Sequence, residues 1–263
     1  MIADELVECV RKKAQRRTAE DVRIGLGYTA VRLDDGSCGL TFTFRDEAAE
    51  CCSVLREAGS MAGRRAIELA EWVRSPEAIS AAVGLATVNA LIPEPVGARE
   101  ADVARILQAG PDDVVGMVGY FAPLVDELRN RTKALHIFER RAHGEAELLP
   151  DWETVRILPE CSVVILSATA LINRTMDDLL ERCTTAREIA IVGPSTPLLP
   201  RVFAKRRVTL LSGVRVVDAE RVLSVVSEGG GTRQFGRAVQ KLCLRIAHQD
   251  DEGQKVTFMP ARV

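Results

Sequence analysis

The chain is poor in the residues that most directly advertise a chemistry. Its 263 residues include three histidines, His136, His143 and His248. There is no Cys-x-x-Cys pair, and the vicinal Cys51 and Cys52 cannot easily turn both thiols to one helix face, so a structural zinc site is not expected. His136 lies inside an apolar stretch and reads as a core histidine. His143, near Glu145 and Glu147, could join a mixed oxygen and nitrogen site or sit in a solvated loop. Charge of one sign is also missing: 35 Lys and Arg stand against 37 Asp and Glu, a net charge of -2, and nothing marks a nucleic-acid partner. No apolar run reaches the roughly 18 residues of a membrane span, and the opening "MIADELVECVRKK" alternates charged and apolar residues, so a soluble, cytoplasmic protein without a membrane partner is expected. Seven cysteines, an odd number in a chain too long to need disulfide staples, are expected to be reduced thiols. Internal repeats and low-complexity tracts are absent.

What remains is core-forming material. With 47% hydrophobic residues, the length suits two modest domains. Ile2, Leu6, Cys9 and Val10 fall on one face of an opening helix. Residues 22–44 alternate and turn as a hairpin or meander. "GRRAIELAEWVR" reads as a helix, and Ser75 as the N-cap of the next, with Pro76 at its first position. That helix runs to the prolines of residues 92–100, where the boundary between domains 1–95 and 96–263 is placed. Beyond it, continuous apolar strands alternate with amphipathic helices: "DVVGMVG", "KALHIFE", "SVVILSA", "EIAIVG" and "RVTLLSG" are strands. This is the grammar of an α/β fold with a doubly wound parallel sheet.

In such a sheet, ligands bind beyond the carboxyl ends of the strands. The candidates are therefore Gly119, Tyr120 and Phe121; Glu139; Ala168 and Thr169; Gly193, Pro194, Ser195 and Thr196; and Ser212 and Gly213. Gly119 opens a helix and Glu139 ends the next strand, an arrangement resembling a dinucleotide or adenosyl site, yet "GMVGYFAP" lacks the third glycine of that fingerprint. In "GPSTPLLP", Ser195 or Thr196 is expected to cap a helix beginning at Pro197, with free amides forming an anion nest. The loop is no nucleophile elbow, because the glycines that flank such a serine are missing. Thr175 is expected to cap the helix of "RTMDDLLERC" with Asp178 in the capping-box position, leaving Asn173 to face the cleft. Gly229 reads as a helix C-cap, and Gly230 and Gly231 as points where a backbone approaches a ligand, ahead of a further helical stretch.

Six motifs in order, "GLATVNAL", "GYFAPLV", "LSATALINRTMDDLL", "GPSTPLLP", "LLSGVRVVD" and "VSEGGGTRQFG", resemble a prokaryotic family described by heavy-metal chelation. The resemblance spans nearly the whole chain. It implies an enolase N-terminal-like domain joined to a Rossmann-like domain, with the site where they meet. It also implies a site made of Asn89, Gly119 to Phe121, Glu139, Thr169, Asn173, Gly193 to Thr196, Gly213 and the glycines 229–231. The expected function is to bind or process a small polar ligand, anionic or heterocyclic, connected with a metal-chelating compound. Asn89 and Asn173 would supply hydrogen bonds, and Glu139 a general base or ribose partner. A nucleotide- or S-adenosylmethionine-dependent enzyme and a direct metal binder stand as alternatives. No cofactor is named, and a homo-oligomer is left open.

Overall fold

The computed structural model describes residues 1–47, 55–140 and 148–247. His143, His248, Cys51 and Cys52 lie outside those residues. The chain opens with helix α1 (Ile2–Ala14), whose apolar stripe buries Ile2, Leu6, Val7, Val10 and Ala14, with Cys9 packed at the edge. Asp4 and Glu5 in its first turn and Arg11, Lys12 and Lys13 in its last complement the helix dipole. Strands β1 (Ala19–Ile24), β2 (Tyr28–Leu33) and β3 (Cys38–Phe42) then form an antiparallel meander in the order β1-β2-β3. Helix α2 (Ala66–Ala70) tightens into a 3-10 turn at Glu71–Arg74, and α3 (Ala78–Leu91) follows. Every residue of α3 is buried except Asn89, because the helix lies between α2 and the small sheet. The helix begins two residues later than expected. Its N-cap is Glu77, and the Ser75 hydroxyl accepts the Glu77 N–H at 3.1 Å from outside the helix.

The second sheet has eight strands. Strand β4 (Arg99–Glu100) and helix α4 (Val103–Ile106) lead into β5 (Val114–Val118), α5 (Ala122–Arg131), β6 (Ala134–Glu139) and β7 (Leu148–Pro150). Helix α6 (Thr154–Ile157), β8 (Val163–Ser167), α7 (Met176–Arg182), β9 (Glu188–Val192), α8 (Pro200–Phe203) and β10 (Leu210–Val216) complete the parallel part. Helix α9 (Ala219–Ser227), α10 (Thr232–Phe235) and β11 (Val239–Arg245) end the described chain. The sheet order is β4-β11-β10-β9-β8-β5-β6-β7, with β5 to β10 mutually parallel. Numbered among themselves, those six strands run 3-2-1-4-5-6, the doubly wound order. Leu124, Val125 and Leu128 of α5 cover one face, and Met176, Leu179, Val202 and Phe203 of α7 and α8 cover the other.

Two expectations change at the far edge. In "RAVQK", where a helix was expected, Arg237 and Ala238 end a 3-10 turn and Val239 starts strand β11, antiparallel to β10; α10 stops at Phe235 because Gly236 leaves the helical region with φ 50°. Gly213 is a mid-strand residue, since β10 pairs with β9 only through Ser212 and then continues to Val216 against β11.

The two sheets cover each other. Val222, Leu223, Val225 and Val226 of α9 pack with Ala30 and Leu40 of the small sheet, so that sheet lies between α3 and α9. Ile2, Leu6 and Val10 share a buried cluster with Met176, Leu179 and Phe203. Ile2 N–H meets both carboxylate oxygens of Asp177 at 3.2 Å, and Arg206 reaches Glu5 at 2.7 Å.

Candidate functional site

The strand order reverses between β5 and β8, where the chain winds outward in both directions, and such a switch point leaves a crevice at the carboxyl ends of the strands. Gly119 ends β5 with φ 92°, and its N–H is held by the Phe138 carbonyl of β6 at 2.8 Å. A Cβ at Gly119 would stand 2.9 Å from the Cβ of Ser167, so only glycine permits both this turn and the approach of β8. Gly193 ends β9 in a similar turn, φ 122°, bonded to the Ser212 carbonyl at 3.0 Å. The ring of Phe121 spans the gap between the two turns. Cβ atoms built at Gly119 and Gly193 would lie 3.8 and 4.0 Å from its Cε2 and Cε1.

Above this floor, between the ends of β5, β6, β8 and β9 and the small sheet, is a cleft of about 750 Å³. The chain has two Trp, two Tyr and seven Phe, eleven aromatic residues in all. Seven of them line this one cleft: Tyr28, Phe42, Phe44, Tyr120, Phe121, Phe138 and Trp152. Tyr28, Phe42 and Phe44 continue an edge-to-face series from Phe235, with centroid separations of 5.3, 6.0 and 5.2 Å, and this fixes the small-sheet wall. Burial pushes the Tyr28 phenol above its ordinary pKa, and its hydrogen bond with Thr232 pulls the other way. On the opposite side Tyr120 is 48% exposed and Trp152 66%, so two large rings stand at the mouth with solvent on one face.

Gly119, Tyr120, Phe121, Glu139, Thr169, Asn173, Gly193, Pro194 and Ser195 all border the cleft. Thr169 and Ser167 share a hydroxyl–hydroxyl hydrogen bond of 2.8 Å at the end of β8. Glu139 Oε1 accepts the Arg140 N–H at 3.1 Å. Asn173 borders the cleft but is less free than expected. Its Oδ1 accepts the Thr175 hydroxyl at 2.8 Å and the Thr175 N–H at 3.3 Å, so the Thr175 side chain caps nothing.

The expected anion nest does not form where it was placed. The helix begins at Pro200 and not Pro197, and Ser195 and Thr196 are 1% and 2% exposed. The Ser195 hydroxyl accepts the Phe42 N–H at 2.8 Å, and the Thr196 hydroxyl donates to the Gly193 carbonyl at 2.7 Å. Asn89 also stands apart from the cleft wall. Its Nδ2 donates to the carbonyls of Leu40 at 3.1 Å and Ser195 at 3.3 Å, so it joins the loop after β9 to β3. Gly213 and Gly230 face protein and not open space: added Cβ atoms would come within 2.9 Å of the Thr196 carbonyl and 2.6 Å of Val225 Cγ1. Gly229, φ 75°, makes the helix-ending turn expected of it, and Thr232 after the glycines borders the cleft.

Sequence reasoning missed five aromatic residues of the cleft, Tyr28, Phe42, Phe44, Phe138 and Trp152. Phe42 and Phe44 were accessible to it, since "TFTF" places them on one face of a strand. Trp152, in the 3-10 turn Asp151–Glu153 after β7, gives no such signal.

Comparisons with known proteins agree with this architecture. Residues 102–245 match a family model described as "Putative heavy-metal chelation", and residues 7–92 match a second model with the same description. The chain belongs to this family. An uncharacterized protein of Methanocaldococcus jannaschii is 26% identical over 185 residues, 68% of this chain and 71% of its own length. A family protein of unknown function from Pyrococcus horikoshii, solved by crystallography, is 25% identical with a TM-score of 0.82, covering 94% of this chain and 100% of its own. Another, from Desulfitobacterium hafniense, is 24% identical with a TM-score of 0.74, covering 92% and 98%. The family's description raises the question of a bare metal ion. Among the described residues no three His, Cys, Asp or Glu side chains are grouped to hold one. Soft metals need thiolates, yet burial pushes the thiols of Cys38 and Cys183 up to about 12 and that of Cys161 to about 11. Cys161 and Cys183 donate to the Ile157 and Leu179 carbonyls at 3.3 and 3.1 Å. These donors do not fit a heavy-metal site. Among the described residues, no helix is long and apolar enough to cross a membrane.

Proposed function

We propose that the cleft binds a small, planar, polar heterocycle, and that this compound is a metal chelator, so the protein serves metal homeostasis in the cytoplasm by handling the chelator and not the bare ion. One observation carries this reading: an aromatic-poor chain gathers seven of its eleven rings around one cleft at the switch point of its parallel sheet. Rings at the mouth with one free face suit stacking on a planar ligand. Thr169 and the Nδ2 of Asn173 would bond its polar edge, and Glu139 is the candidate proton acceptor if a reaction follows binding. Residues 1–95, read as similar to the amino-terminal domain of enolases, contribute the Tyr28, Phe42 and Phe44 wall.

Native mass spectrometry of the protein as isolated, followed by calorimetric titration with quinoline as a planar probe, tests the proposal. Base-on-aromatic stacking contributes about 1–3 kcal/mol per ring, so Tyr120→Ala and Trp152→Ala should each weaken quinoline binding about tenfold. Unchanged affinity in both variants would refute it.

The 3-2-1-4-5-6 strand order, with a glycine turn after the first strand and Glu139 ending the second, favours a second reading, an adenosine-containing cofactor over Gly119. Phe121 counts against it, because its ring lies close to both glycine turns, on the side a pyrophosphate would approach. Thermal-shift measurement with S-adenosylmethionine and NAD decides: at 100 times its dissociation constant a true cofactor stabilises by about 2.7 kcal/mol.

A further inference from the structure

The charges around the cleft are unequal. Among the described residues its lining holds three carboxylates, Glu139, Asp151 and Asp178, and two guanidinium groups, Arg140 and Arg182. Both guanidinium groups are already engaged. Arg182 pairs with Asp178 and donates to the Thr154 hydroxyl at 2.6 Å, while Arg140 pairs with Glu47 from the small-sheet side and lies 4.0 Å from Asp151. Glu139 pairs with no cation among the described residues; its Oε1 takes only the neighbouring Arg140 N–H. With the serine and threonine of the β9 loop turned into the protein, no described residue lining the cleft offers an uncommitted positive group to an anion.

Aromatic faces and the surplus carboxylate of Glu139 select the same kind of ligand. The face of an aromatic ring carries negative potential, and a cation set over Tyr120 or Trp152 is attracted to it. A carboxylate at the rim adds direct attraction, strengthened where the cleft walls exclude water. We infer that the cleft discriminates by charge and takes a planar cation: a heterocycle with a quaternary or protonated ring nitrogen, or a planar chelator in its positively charged, metal-loaded form. Glu139 is the residue that sets this preference, with Asp151 supporting it. The inference rests on the planar-ligand reading above and adds the sign of the ligand's charge.

The test uses one ring system in three charge states with the full-length protein: quinoline, N-methylquinolinium and quinaldate, titrated calorimetrically above the pKa of quinoline. The cation should bind about tenfold more tightly than the neutral ring, and the anion more weakly than either. Added salt should shrink the gap. Glu139→Gln should bring the cation-to-neutral affinity ratio toward one, and Asp151→Asn should lower it by less, which keeps the assignment testable if either variant folds poorly. Quinoline or quinaldate binding as tightly as N-methylquinolinium would overturn the charge preference and leave the planar-ligand reading standing. Binding of none of the three would remove both, and tetraethylammonium binding as tightly as N-methylquinolinium would show that charge acts without the ring stacking.

Discussion

Ser195 has a position that local sequence sets and a hydrogen bond that it does not. Its place after β9 follows from the apolar run "IAIV" and Gly193, and both features are local. What its hydroxyl does is decided by Phe42, 153 positions away. No local pattern carries that information. The Phe42 N–H has this buried hydroxyl as its acceptor, so Ser195→Ala leaves a buried donor unpaired and should cost about 1–3 kcal/mol in urea unfolding. Quinoline affinity should change little by comparison. A variant of wild-type stability with lost affinity would return Ser195 to the ligand. Asn173 teaches the same point at shorter range, since its Oδ1 is spent on Thr175 two residues away.

At the scale of elements, the parallel strands were legible because burial on both faces demands continuous apolar runs, and β5, β6, β8 and β9 occupy those runs. Strand β11 was not, because its half nearest α10, Val239, Gln240 and Lys241, is partly exposed at the antiparallel edge and carries no such run. Strand β7, three residues ending in Pro150, is too short to show a period. The start of β5 is held by Asp113, which accepts hydrogen bonds from Gly110 N–H at 2.8 Å, Ser162 at 2.7 Å and Arg187 at 2.6 Å. Burial acts to raise its pKa, but the bonds from Ser162, Gly110 and Arg187 outweigh it and hold the carboxyl below its ordinary value of 3.8. A depressed folded-state pKa means stability that is complete above the unfolded value and lost as pH falls through the folded one. Asp113→Asn should therefore destabilise by about 1–3 kcal/mol near neutrality and flatten the loss of stability below about pH 4, both read from denaturant midpoints across pH. A variant with the parent's acid dependence would show that another group carries it.

For the whole molecule, the composition break at residues 92–100 separates two sheets, and the proposed division into 1–95 and 96–263 is best taken as one between sheets that need each other. The small sheet has α9 on one face and α3 on the other, and α1 shares its core with α7 and α8. Sequence reasoning places the break because it follows chain order. It does not see α9, some 190 residues after β2, returning to cover it. A fragment of residues 1–95 should show a poorly dispersed amide NMR spectrum and no cooperative melt, because Ala30, Leu40 and the α1 stripe would face water. A well-dispersed spectrum would show that the small sheet folds alone.

That mutual cover brings Tyr28, Phe42 and Phe44 to the same cleft as Tyr120 and Trp152, where the proposed planar ligand would enter. The chain's two tryptophans give a direct readout. Trp152 stands at the cleft mouth, while Trp72 is partly buried at the other side of the small sheet, under the guanidinium of Arg64 at 5.8 Å. Fluorotryptophan-labelled protein should give two resonances in fluorine NMR. Titration with N-methylquinolinium should move the Trp152 signal, assigned with Trp152→Phe, in a saturable way and leave Trp72 in place. Saturable binding that moves neither signal, or only that of Trp72, would contradict the claim that this cleft is the binding site.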